Sequence, residues 1–236
     1  MKRIYIVLFI IAGIILGIYS VKIENFNFGG NTRYTNEEMK AMLFPNDFSK
    51  VTLYNVVRSK LKRKYNIPFI QGVDIYVTGL HSADIIVYEK SIVGCVKYMS
   101  SYMYFDKDGI VVESSNTLLY GIPVIDGLDF GRIVLYEKLP ISNENVFKDM
   151  LDITQVLVGY GINVDRITIS SDNNITLYMG NIEVYLGDSS ELNGKVGELR
   201  DIWGKIKDLS GTLYLDNYNP LKDNTTYTFK KKLVDI

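Results

Sequence analysis

The residues from Ile4 to Val21 read IYIVLFIIAGIILGIYSV, an uncharged apolar run about as long as a helix needs to cross a hydrocarbon core. A helix pairs all of its own backbone groups, so such a run is stable in lipid and predicts a membrane span at 4–21. Lys2 and Arg3 precede it with the terminal amine, and the positive-inside rule then keeps residues 1–3 in the cytoplasm. The bulk of the chain is expected outside, as in a single-pass type II protein of the plasma membrane. Gly17 to Lys22 (GIYSVK) offers no A-x-A-like cleavage site, and the run is longer than a signal peptide's apolar region, so an uncleaved anchor is expected.

Beyond the span the chain must form a folded, packed body, since its 236 residues are 47% hydrophobic and 22% charged. A net charge of -1 gives no general attraction for nucleic acid. Cys95 is the single cysteine and His81 the single histidine, so neither an internal disulfide nor a His/Cys metal cluster is available. No metal, cofactor or small-molecule substrate is expected.

Val21, Ile23, Phe26 and Phe28 alternate with polar residues, with one irregular step, as in a strand that Gly29, Gly30 and Asn31 end. Thr35 with Glu38 forms a capping-box pattern, and Met39, Met42 and Leu43 then share a helical face that stops near Phe44 and Pro45. Leu53, Val56, Val57 and Leu61 lie at helical spacing and predict a second helix, closed before Asn66 and Pro68. Strand-like stretches at Ile70 to Leu80 and Ala83 to Lys90 meet at a turn over Thr78 to Ser82. The order is β-α-α-β-β over 22–90.

From 91 to 218 strand signals recur at short intervals. Asp106 to Gly109 (DKDG) divides Tyr102 to Phe105 from Ile110 to Glu113 as a hairpin turn. Ile122 to Gly127 (IPVIDG) reads as an extended linker. Ser142 is placed to cap a helix carrying Val146, Phe147, Met150, Leu151, Thr154 and Leu157 on one side, ended by Gly161. Ile167 to Ser170, Ile175 to Met179 and Ile182 to Leu186 predict an antiparallel meander. Leu192, Val196, Leu199, Ile202, Ile206 and Leu209 predict a further helix, and Thr212 to Tyr218 a last strand. The tail at 219–236 is polar and basic, and only part of it is expected to be ordered. The fold class is therefore α+β, with an N-terminal transmembrane helix, a small β-α-α-β-β domain, and a strand-rich β domain with covering helices.

Gly30-Asn31-Thr32-Arg33-Tyr34-Thr35 resembles the G-N-x-R-Y-[ST] turn into the first helix of a POTRA domain in the cell-division proteins of the FtsQ/DivIB family. Ile85-Ile86-Val87-Tyr88-Glu89-Lys90 with Val93-Gly94 is similar to the strand leaving that domain. Phe105-Asp106 with Gly109-Ile110-Val111 resembles the hairpin that opens that family's β domain, and Ile122-Pro123-Val124-Ile125 with Gly127 resembles its following P-x-[IV]-x-G segment. The chain departs from the pattern at His81 and Ser82, where a proline is usual, and at Cys95, where an aromatic is frequent. The likeness covers roughly residues 1 to 218. It implies a divisome scaffold at the division septum that docks partners of FtsB/DivIC and FtsL type in support of septal peptidoglycan synthesis, and no enzymatic step.

Family resemblance also implies the docking residues. The partner is received by the last strand and the segment after it, which here means Tyr214, Leu215, Asp216, Asn217 and Tyr218, with Tyr227 and Phe229 in the tail. Alternation puts Leu213 and Leu215 on one face and Tyr214, Asp216 and Tyr218 on the other, and an open edge is able to accept a further strand. An ordinary edge strand is the plainer reading.

Other signals have structural readings. Lys60, Lys62, Arg63 and Lys64 at a helix end suit anionic lipid or an acidic partner, but a solvated helix end that favours the macrodipole is the leading reading, and Lys230 to Lys232 carry the same ambiguity. Asp106, Asp108 and Gly109 are mis-spaced for a calcium loop and lack its final Glu. Asn174-Ile175-Thr176 and Asn224-Thr225-Thr226 match a glycosylation pattern short enough to arise by chance. Two alternatives stand beside the scaffold. One is a POTRA-bearing secretion or envelope-assembly component; the other is a surface cysteine transpeptidase, sortase-like, using Cys95 and His81.

Overall fold

The computed structural model describes residues 2–61, 65–221 and 227–232. It divides into two compact units, residues 1–90 and 91–236.

The first unit begins with helix α1 (Lys2–Ser20), whose stretch Arg3–Ser20 is long and apolar enough to cross a membrane and is not buried by the rest of the protein. Strand β1 (Asn25–Gly29) comes next, then helix α2 (Asn36–Leu43), a 3-10 turn at Phe48–Lys50, helix α3 (Thr52–Lys60), and strands β2 (Ile70–Val77) and β3 (Ser82–Glu89). The sheet order is β1-β3-β2, with β1 parallel and β2 antiparallel to the central β3. Ile23, Met39, Leu43, Phe44, Ile75, Ile85 and Val87 form its core.

Helix α2 starts where the sequence places it, because Thr35 accepts the Glu38 N–H and Glu38 accepts the Thr35 N–H, closing the capping box. Of its expected apolar face, Met39 and Leu43 are buried while Met42 is exposed. Gly30 has φ +84, and a Cβ there would lie 2.3 Å from the Val87 carbonyl oxygen, so this tight approach of turn to strand needs glycine. Asn31 donates to the Tyr34 carbonyl across the same turn. Glu89, at the end of β3, accepts the Thr32 and Arg33 N–H groups and the Thr32 hydroxyl, with Arg33 Nε 3.5 Å away. Burial raises this carboxyl's pKa, and those hydrogen bonds with the Arg33 charge more than offset it, holding the group below its ordinary value.

The spacing rule finds α3 but not its inward face. Thr52, Asn55 and Arg58 are buried, whereas Leu53 (50% exposed), Val57 (52%) and Leu61 (74%) face outward. The polar side chains face inward because the loop carbonyls of Ser49 and Leu80 and the helix-end carbonyl of Leu43 take donors there. Thr52 Oγ1 donates to Leu80 O, Asn55 Nδ2 to Ser49 O and Val51 O, and Arg58 Nη1 to Leu43 O. The Arg58 guanidinium also lies 4.8 Å from the Tyr65 ring centroid. The helix ends at Lys60; Lys62, Arg63 and Lys64 lie outside the described residues, as does Asn224-Thr225-Thr226.

Among the described residues the second unit holds a nine-stranded sheet. Its elements are β4 (Gly94–Tyr98), β5 (Ser101–Phe105), β6 (Val111–Ser115), β7 (Val124–Asp126), α4 (Glu144–Tyr160), β8 (Arg166–Ile169), β9 (Ile175–Met179), β10 (Ile182–Gly187), α5 (Leu192–Ile206), β11 (Gly211–Tyr214) and β12 (Thr228–Lys231). Strands lie in the order β12-β11-β10-β9-β8-β7-β4-β5-β6. The expected meander is β8, β9 and β10, all antiparallel. The segment expected as a linker, Ile122 to Gly127, instead contains β7 at the heart of the sheet, parallel to both β4 and β8. Pro123 sits just before it, where its missing N–H costs nothing and its carbonyl accepts the Cys95 N–H.

Two parallel crossovers, β7-α4-β8 and β10-α5-β11, bring the helices together on the sheet. The Arg200 guanidinium of α5 lies 5.1 Å from the centroid of the Tyr160 ring of α4. Asn143, rather than the expected Ser142, caps α4 by accepting the Asn145 and Val146 N–H groups, and Gly161 closes it at φ +66. Phe147, Met150, Ile153, Thr154 and Leu157 are buried beneath α4, as Leu192, Val196, Leu199 and Ile206 are beneath α5. In the DKDG turn, Asp106 Oδ1 accepts the Asp108 and Ile110 N–H groups, so this carboxylate holds a hairpin.

Candidate sheet-edge docking site

The final β-α-β crossover ends in β11, which pairs with β10 on one side and β12 on the other. The expected last strand, Thr212 to Tyr218, is therefore shorter, and it is an inner strand: the chain's own Thr228–Lys231 covers its outer side. Lys232 N–H donates to Ser210 O, so in this antiparallel ladder Thr228 and Lys230 turn their backbone groups to β11. Phe229 and Lys231 turn theirs away, towards an edge that no strand among the described residues pairs with.

The seven candidate residues fall on both faces of this end of the sheet. Leu215 is fully buried with Leu213, and Tyr227 and Phe229 pack half-buried against the same core. Tyr214 points to the opposite face, its ring 5.9 Å from that of Tyr185 and 4.7 Å from Lys230 Nζ. Asp216 and Asn217 are exposed in the turn after β11. Tyr218 does not continue the Tyr214 face, because its ring occupies the space above Gly194 of α5, where a Cβ would lie 2.3 Å from ring carbons. The fold thus brings Tyr214 and Lys230 together at the β12 end of the sheet, with Tyr185 one strand further in on β10 and Tyr218 packed over Gly194. Lys230 takes a specific place over a tyrosine ring, which the run Lys230 to Lys232 alone did not distinguish.

A residue missed in the sequence is Lys195, which is 1% exposed on α5. Its Nζ donates to the Asp188 carbonyl (3.0 Å) and carboxylate (3.1 Å). The Ser190 hydrogen bond and the Lys195 contact hold the Asp188 carboxyl below its ordinary pKa. This pair fixes the β10–α5 loop, and the space above Gly187 in that loop is filled by Asp216. No reading of the sequence singled out position 195, although helical spacing from Leu192 and Leu199 places it on the buried side of α5.

Cys95 lies fully buried in β4, its thiol 3.6 Å from Pro123 O, and burial with the nearby Asp126 charge pushes its pKa up to about 12. Such a thiol carries almost no thiolate at neutral pH. His81 Nδ1 lies 2.7 Å from Lys22 O, a turn contact. Among the described residues no group of three His, Cys, Asp or Glu side chains is arranged to hold a metal ion. No family model matches the chain, and no curated protein matches it either.

Proposed function

We propose that this chain is a membrane-anchored docking scaffold of the FtsQ/DivIB type, whose first unit is a POTRA domain and whose second unit receives FtsB/DivIC–FtsL-type partners outside the cytoplasm at the division septum. The observation that carries the reading is the β12 edge, unpaired by any strand among the described residues, on a unit of a chain that also bears an apolar helix long enough to span a membrane. An incoming strand would pair with the backbone groups of Phe229 and Lys231 and select its side chains against Lys230 and the Tyr214 ring beneath it. Binding energy then comes from ladder hydrogen bonds and a few aromatic anchors, so the protein acts by placement and needs no covalent step. The turn at Gly30 to Thr35 and the strand ending at Glu89, both similar to the family's POTRA motifs, meet through the Glu89 hydrogen bonds, which supports the reading of the first unit.

The test is co-purification of the full chain with septal coiled-coil membrane proteins, comparing wild type with Tyr214→Lys and Lys231→Pro. The proline removes an edge-facing N–H while sparing the bonds to β11. Both variants are expected to lose capture at least about tenfold, the consequence of about 1.4 kcal/mol of lost binding. Undiminished capture by both rejects this edge as the docking site.

A further inference from the structure

The outward stripe of α3 has an address. Lys22 pairs with Val51 in an isolated bridge; the Thr52 N–H donates to Val21 O at 3.0 Å and the Ile23 N–H to Lys50 O at 2.8 Å. The first turn of α3 is therefore fastened to the residues just after α1, the helix apolar enough to span a bilayer. Thr52 Oγ1 holds Leu80 O at 2.6 Å, which brings the β2–β3 turn to the same place. Around this junction Phe48 (55% exposed), Leu53 (50%) and Leu80 (72%) face outward, and Val57 and Leu61 continue the Leu53 row along α3 at intervals of four.

Helix α3 is thus amphipathic in reverse, its polar row buried and its apolar row exposed, and it starts beside the end of α1. Cations accompany the row: Lys60 is exposed, and Lys22 and Lys50 both reach Asp47, at 3.0 and 3.3 Å, with Glu24 the other acid beside the junction. Tyr19, in the last turn of α1, carries Lys22 Nζ at 5.0 Å from its ring centroid, the aromatic and basic pairing found at membrane–water interfaces.

We propose that α3 lies on the membrane surface, with Leu53, Val57 and Leu61 immersed at the headgroup–acyl boundary, Phe48 and Leu80 beside the end of the span, and Lys60 among lipid phosphates. The inference rests on the reading of α1 as a membrane anchor. It makes the first unit a module seated on the bilayer rather than one swinging from it.

The experiment uses the full chain carrying Cys95→Ala, reconstituted in phosphatidylcholine–phosphatidylglycerol vesicles. Leu53→Cys, Val57→Cys and Leu80→Cys, made one at a time, carry a bimane label, and brominated acyl chains act as quencher. Ile11→Cys reports the span and Glu37→Cys, exposed on α2, the aqueous reference. Labels at 53, 57 and 80 are expected to be quenched at least about twofold more than at 37, and less than at 11. Strong quenching at 11 with 53 and 57 equal to 37 overturns the proposal while sparing the anchor, and leaves the stripe to a protein partner. Absence of quenching at 11 overturns the anchor and the proposal with it.

Discussion

In α4 the residues at helical spacing, Phe147, Met150, Thr154 and Leu157, are buried against the sheet, whereas in α3 the corresponding row, Leu53, Val57 and Leu61, stands outward over a buried Thr52, Asn55 and Arg58. Both helices carry the same period, so period identifies the helix and leaves its orientation open. The neighbours decide it. Beneath α4 lies a sheet whose ladder already pairs its backbone groups, and only apolar surface remains to be covered. Beneath α3 lie the carbonyls of Leu43, Ser49 and Leu80, which need donors more than α3 needs to hide three aliphatic side chains.

The largest contrast is expected from Ile153→Ala, which opens a cavity at a fully buried position of α4 and should cost about 2–5 kcal/mol. Amide hydrogen exchange reads the two units separately: protection in β9 should fall by that amount while β3 is unchanged. Equal loss in both strands would mean that the units unfold together and the comparison fails.

Next comes the polar row of α3. Asn55 is fully buried, and Asn55→Ala leaves the Ser49 carbonyl without its donor, at an expected cost of about 1–3 kcal/mol in β3 protection. The Val51 carbonyl loses less, since it keeps the Asn55 backbone N–H of the helix. If Asn55→Ala is neutral, the inward polar face is not what orients α3.

Orientation was the part least legible in the sequence, for a definite reason. Thr52, Asn55 and Arg58 are as regularly spaced as the aliphatic row, and the carbonyls that select between the rows come from residues as distant as Leu80. Features fixed within a few residues were legible: the Thr35–Glu38 capping box, the Asp106 turn, Gly161 ending α4. Strand β7 was not, because its three residues between Pro123 and Gly127 carry no alternation, and it becomes a strand only through β4 and β8 on either side. Nor was β12, whose TFKK sequence is mostly exposed, so the edge legible as Tyr214 to Tyr218 lay one strand further out.

Acid sharpens the comparison between the units at a smaller scale. Glu89 titrates below its ordinary value in the folded state, so its contribution is complete above the unfolded pKa of about 4.3 and disappears as pH falls through the lowered folded value. Protection of β3 should therefore decline below about pH 4.3. Glu89→Gln should lower it at neutral pH by about 1–2 kcal/mol and flatten the acid decline. A β3 acid profile identical in wild type and Glu89→Gln would show that the Thr32 and Arg33 contacts do not report on folding.

The smallest effect belongs to the outward row. Val57→Ser, at a side chain 52% exposed, removes no core contact and should change β3 protection in detergent micelles by less than about 0.5 kcal/mol. The same substitution at Leu157 of α4, 3% exposed, removes a buried side chain and belongs with Ile153→Ala in size. The pair isolates what spacing cannot provide, since both residues sit in apolar rows of amphipathic helices and differ only in which side of the helix the fold has turned inward. A loss at Val57 as large as at Leu157 would mean that the α3 row is covered by the protein itself. A loss at Leu157 alone leaves that row available to whatever lies beside the end of α1.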